Sequence, residues 1–175
     1  MTSPARFFLA AFVLAAPSVH ADDACTGFKW NAAHEHALFL GDAAAATAGK
    51  DVASAPKLDL DRLYELALSP QDGVRFAAPP SKTMLADGAY AGVVRFAPAQ
   101  AGQYRVSLDV PFWIDVVADG KPIPSIDFNG AHGCDKPRKI VVYDLPAGKD
   151  LALQLSGATN ARVRIALTPV AASAK

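Results

Sequence analysis

The sequence predicts an all-β protein, a single jelly-roll-like β-sandwich of about eight or nine short antiparallel strands spanning residues 22–169. Three observations carry that expectation. Alternating or β-branched segments recur from Val74 onward, turn signals separate them every eight to twelve residues, and the length suits one domain.

Taken in order, Phe28 to Leu40 reads as a first extended segment. Gly41 to Pro56 is rich in Ala, Gly, Asp and Ser; Ala43 to Ala46 has the propensity for one helical turn, but without apolar periodicity a surface connection is expected. Leu58 to Leu68 fits two periods. A helix groups Leu60, Leu63 and Tyr64, whereas a strand sets Tyr64, Leu66 and Leu68 against Leu63, Glu65 and Ala67; the all-β context favours the strand. Val74 to Phe76 alternates until Pro79-Pro80 interrupts it. Ala91 to Phe96 is β-branched and aromatic, and Tyr104 to Leu108 alternates strictly, with Tyr104, Val106 and Leu108 on one face. Phe112 to Val117 runs into Asp119-Gly120, a favoured two-residue hairpin turn. Lys139 to Leu145, Leu151 to Leu155 and Ala161 to Thr168 complete the set, and residues 170–175 read as a flexible tail.

The N-terminus predicts export. Arg6 precedes a ten-residue apolar run, Phe7 to Ala16, broken by Pro17-Ser18; Val19-His20-Ala21 then offers a signal-peptidase site. A membrane-spanning helix needs about 20 apolar residues, so residues 1–21 read as a cleaved signal peptide that leaves no membrane anchor. The destination is the periplasm or the extracellular medium. Cleavage removes Arg6 and no acid, leaving 16 basic residues against 17 acidic ones. A near-neutral chain without a basic block gives no electrostatic basis for binding nucleic acid. The only two cysteines, Cys25 and Cys134, remain after cleavage and are expected to form a disulfide in an oxidising compartment.

The segments Tyr90-Ala91-Gly92, Ala101-Gly102-Gln103-Tyr104-Arg105-Val106 and Trp113-Ile114-Asp115-Val116 resemble those of secreted jelly-roll and prepeptidase-C-like modules. There too an aromatic-Gly segment leads through an Ala-Gly turn into a Tyr-containing strand and then a Trp-containing one. The mature chain also resembles a group of small exported bacterial proteins of unknown function, some of which carry the label homogentisate dioxygenase. The residues do not support that label. The enzyme class is much longer and holds iron in a cupin site of two His and one Glu, whereas here His34-Glu35-His36 runs on into Leu38, Phe39 and Leu40.

Two constellations are candidate sites. On a strand, His34 and His36 would share one face. With His132, drawn close by the disulfide, they would form a three-imidazole site suited to zinc or copper. Trp30 and Trp113 stand near strand starts and are candidates for stacking on a carbohydrate or filling a protein partner's pocket. No GxSxG nucleophile context or phosphate-binding glycine loop is present, and Asp109, Asp115 and Asp127 are scattered singly. The leading functional expectation is therefore a non-catalytic binding or accessory module. The alternative is a small metalloprotein using His34, His36 and His132.

Overall fold

The computed structural model describes Cys25 and residues 27–83 and 87–170. The expected signal peptide and its cleavage site lie outside the described residues, as does residues 171–175 of the expected tail. The described chain forms helix α1 (Ala33–Leu40) and strands β1 (Ala44–Thr47), β2 (Leu63–Ala67), β3 (Ser69–Pro70), β4 (Tyr90–Phe96), β5 (Gly102–Leu108), β6 (Trp113–Ala118), β7 (Lys121–Ile123), β8 (Ser125–Gly130), β9 (Lys139–Leu145), β10 (Leu151–Ala158) and β11 (Arg162–Pro169).

The strands build two facing sheets, ordered β1-β2-β11-β5-β9-β8 and β3-β4-β10-β6-β7. The pairing is nested. β2 pairs with β11, β4 with β10 and β5 with β9, and the β6–β7 hairpin lies at the tip. A long antiparallel hairpin rolled up in this way is a jelly roll. Asp119 and Gly120 turn the tip hairpin, both with positive φ (51° and 74°), as a two-residue primed turn requires.

The core follows from period-two alternation. Tyr104, Val106 and Leu108 of β5 face Leu151, Leu153 and Leu155 of β10 in one buried cluster, alongside Phe96, Ile114, Val116, Ile165 and Leu167. The outer faces are partly covered as well. Phe39 of α1 packs on Leu63 and Ala166 outside the larger sheet, and Ala55 and Ala78 lie over Val93, Val117 and Ala152 outside the smaller one.

Several expectations need correction. The strand count is eleven, and β1 pairs with β2 in parallel, so Ala44–Thr47 is an edge strand where a surface connection was expected. Residues 28–40 are not extended but end in α1. The helix was hidden because its buried positions, Glu35 and Phe39, include a charged residue. Glu35 is satisfied only by tertiary partners: Arg105 Nη1 at 3.1 Å and the Thr168 hydroxyl at 2.8 Å. Val74 to Phe76 is a loop. Strands β7 and β8 were unexpected; they are edge strands, where Pro122 is tolerated because its missing N–H faces no partner strand.

Candidate ligand-binding site

Cys25 and Cys134 form a disulfide with a Cα–Cα distance of 5.0 Å across 109 residues of sequence. It ties the start of the described chain to the β8–β9 loop. Among the described residues no helix is long and apolar enough to cross a membrane.

The structure does not bring the three histidines together. On a helix, residues two apart are separated by about 200° around the axis, so His34 and His36 of α1 leave in different directions. His34 Nε2–H donates to Asp61 at 2.9 Å, and His36 Nδ1–H donates to the Lys136 carbonyl at 2.6 Å. His132 Nδ1 accepts from Arg138 at 3.1 Å. The disulfide does draw its loop against α1, but the meeting point is Lys136 with His36 rather than His132. Among the described residues one group has metal-ligand proximity, with Cys25, His36 and Cys134 ligand atoms all within 4.8 Å of one another. Both sulfurs are consumed by the disulfide, and a metal needs thiolates, so the oxidised group offers one imidazole.

The two tryptophans differ. Trp30 has two cations near its ring, with Lys29 Nζ 5.1 Å and the Arg105 guanidinium 5.4 Å from its centre. Arg105 is paired with buried Glu35 and also donates to the Asn31 carbonyl at 2.8 Å; Lys29 is paired with Asp127. A shallow cavity of about 350 Å³ beside it is lined by Trp30, Gln103, Arg105, Ile126, Asp127 and Val142, among others.

Trp113 opens β6 and borders a larger cavity, about 560 Å³, at the edge of the sandwich where β7 and β8 are joined only by Pro124. Its walls are mainly apolar: Phe112 and Ile114 from β6 and the loop before it, Pro122 and Ile123 from β7, Phe128 from β8, and Val141 and Tyr143 from β9. This is the size and lining of a small-molecule site. Phe128 is 66% exposed at its rim, the most exposed large apolar side chain among the described residues.

A hydrogen-bonded group fixes the indole. Trp113 Nε1 donates to Asp115 at 3.1 Å, Asp115 also accepts from the Ser81 hydroxyl, and Gln154 Nε2 donates to it at 3.2 Å. Asp115 points away from the core, but the segment carrying Ser81 covers it and leaves it buried. Two lysines stand by the same ring, with Lys82 Nζ at 5.4 Å and Lys139 Nζ at 5.6 Å from its centre. Lys139 donates to the Phe112 carbonyl at 3.0 Å. Burial, and then the neighbouring charge of Lys82, hold Lys139 below the usual lysine value. Tyr143 donates to the Ile114 carbonyl at 3.2 Å, and its phenol is pushed well up by burial and the Asp115 charge.

Of this site the sequence marked Trp113 alone. The Pro111-Phe112-Trp113 and Pro122-Ile123-Pro124 runs were the available signal for the rest. Lys82 and Lys139 carried no signal, because nothing local in sequence places them by the indole. No protein-family model matches the chain, and neither a curated protein nor a solved structure is significantly similar to it. Fold and cavity therefore define its class, a jelly-roll sandwich with an apolar pocket at its open edge.

Proposed function

We propose that the protein is an exported, non-catalytic binding module whose ligand lodges its apolar body in the cavity beside Trp113. The observation that carries this reading is the cavity itself. A short β7 leaves an aromatic- and proline-lined space open between the sheet edges, and it holds an indole fixed by Asp115. The polar groups there suit recognition better than turnover. Ser81 donates to Asp115, and Trp113 and Gln154 donate to the same carboxylate, an arrangement that fixes the indole. Export through residues 1–21 is supported by the leader pattern and by the disulfide, which belongs in an oxidising compartment.

The test of binding uses the neutral dye N-phenyl-1-naphthylamine, which fluoresces in apolar surroundings. The oxidised protein is expected to enhance its emission saturably, and Trp113→Ala to weaken binding by about tenfold, the worth of one well-packed aromatic contact. Trp30→Ala should leave the dye site unchanged. No saturable binding, or equal binding by the Trp113→Ala protein with its fold intact by circular dichroism, would remove the reading. The export test is the intact mass of protein from the native host's exported fraction, expected to begin at Asp22.

A further inference from the structure

The ligand's apolar body leaves its polar end unspecified, and the charges around Trp113 bear on that end. Lys82 and Lys139 both line the cavity and stand 5.4 and 5.6 Å from the centre of one indole ring. Among the described residues neither takes part in an ion pair, which also holds for Lys50, Lys57, Lys121, Lys136, Arg138 and Arg164; what sets this pair apart is that both line the apolar cavity beside one indole. The nearest acid lining the cavity is Asp115, and its oxygens are taken up by Ser81, Trp113 and Gln154. Two like charges held at the mouth of an apolar cavity repel each other. One of them, Lys139, is half-buried, and that burial disfavours its charged form. Such an arrangement is costly in the empty protein and is relieved by an anion placed between them.

Resting on the pocket reading above, we propose that the ligand is an amphiphile or aromatic molecule with an anionic head group, its apolar body against Ile123, Phe128 and Val141 and its head between Lys82 and Lys139. Phe128 at the rim and the prolines of β7 and its flanks would line the entry for the apolar part. Asp115 is the opposing feature, since it lines the same cavity with the charge that an anion avoids. Two ammonium groups without an acid partner outweigh one carboxylate already engaged by four donors from Ser81, Trp113 and Gln154.

The experiment is calorimetric titration of the oxidised protein with three probes sharing one chain length: decanoate, decan-1-ol and decyltrimethylammonium. Decanoate is expected to bind about tenfold or more tightly than decan-1-ol, and decyltrimethylammonium more weakly than either. Lys82→Met and Lys139→Met should each lower decanoate affinity several-fold more than they change decan-1-ol affinity. Lys82→Arg should retain most of the decanoate preference. Decyl sulfate in a parallel arm distinguishes a general anion site from one fitted to a carboxylate. Lys82 is exposed and tolerates substitution, so its variant keeps the test open if Lys139→Met fails to fold. Equal binding of decanoate and decan-1-ol, or preference for the cation, would overturn the anionic head group and leave the apolar pocket standing. Binding of none of the probes would instead remove the pocket reading itself.

Discussion

The two tryptophans make the most instructive comparison in this molecule. Each has two cations within 6 Å of its ring, yet the groups do opposite work. At Trp30 the cations are neutralised, Arg105 by Glu35 and Lys29 by Asp127, so the cluster is a seam that fastens the segment before α1 onto β5 and β11. At Trp113 they have no carboxylate partner among the described residues, and the adjoining space is open. An aromatic ring with cations around it does not by itself mark a site. The distinguishing property is whether the charge has already been matched from within the chain.

The largest expected effect breaks the seam. Glu35→Ala leaves Arg105, whose side chain is only 13% exposed, without its acid, and removes the acceptor for Thr168. Breaking a buried pair in this way costs about 3–5 kcal/mol, measurable by urea unfolding. A loss below about 0.5 kcal/mol, the range of an ordinary surface substitution, would mean that the Trp30 cluster is no fastening at all. Next is the disulfide that anchors the same segment. Cys25→Ser with Cys134→Ser should cost about 2–4 kcal/mol by the same measurement.

At Trp113 the expected effects are on binding. An anionic ligand requires the ammonium form of Lys139, whose value lies below the ordinary 10.5 through burial and the charge of Lys82. Decanoate affinity should therefore be full near neutral pH and fall on the alkaline side before an ordinary lysine would titrate. Lys82, Asp115 and Tyr143 share the cavity; the raised Tyr143 phenol keeps its proton through that window, so the change is assigned to Lys139. An affinity flat from pH 7 to about 10.5 would break the link between Lys139 and the anion.

The smallest effect sharpens the contrast. In the folded state the charged form of Lys139 is disfavoured, so the folded protein binds fewer protons than the unfolded chain between the lowered value and 10.5. Its charge thus works against the fold at pH 7, and the penalty fades as pH rises through that window. Lys139→Met should melt at or slightly above the parent temperature at pH 7, by no more than about 1 kcal/mol in stability, with the difference shrinking toward pH 10.5. Loss of decanoate binding without loss of stability would set Lys139 apart from Glu35 as a residue kept for a ligand.

The parts of the fold legible in the sequence were those where large apolar side chains recur at every second position, as at Tyr104, Val106 and Leu108 of β5 and Leu151, Leu153 and Leu155 of β10. The strand at 63–67 was favoured over a helix on context, and Tyr64 and Leu66 are indeed buried there. The disulfide was legible because only two cysteines remain to pair. What escaped depends on distant partners. Glu35 in a buried helical position is intelligible only once Arg105 and Thr168 are beside it, so Leu38-Phe39-Leu40 looked like an extended apolar run. β8 escaped because its large residues, Ile126 and Phe128, face outward on an edge strand and bury little. Trp113 was visible as a candidate, but its two lysines were not, since residues 82 and 139 meet it only after the roll has closed.

The nested pairing also orders events in time. β2 lies between β1 and β11, whose residues are almost a hundred positions later in the chain, and β4 waits for β10 in the same way. A chain emerging N-terminus first therefore completes the smaller sheet only once β10 is free and the larger only once β11, its last strand, is free. Contacts so distant in sequence close slowly. The export proposed above would profit from that delay, since slow closure leaves longer for an unfolded chain to be threaded through a membrane.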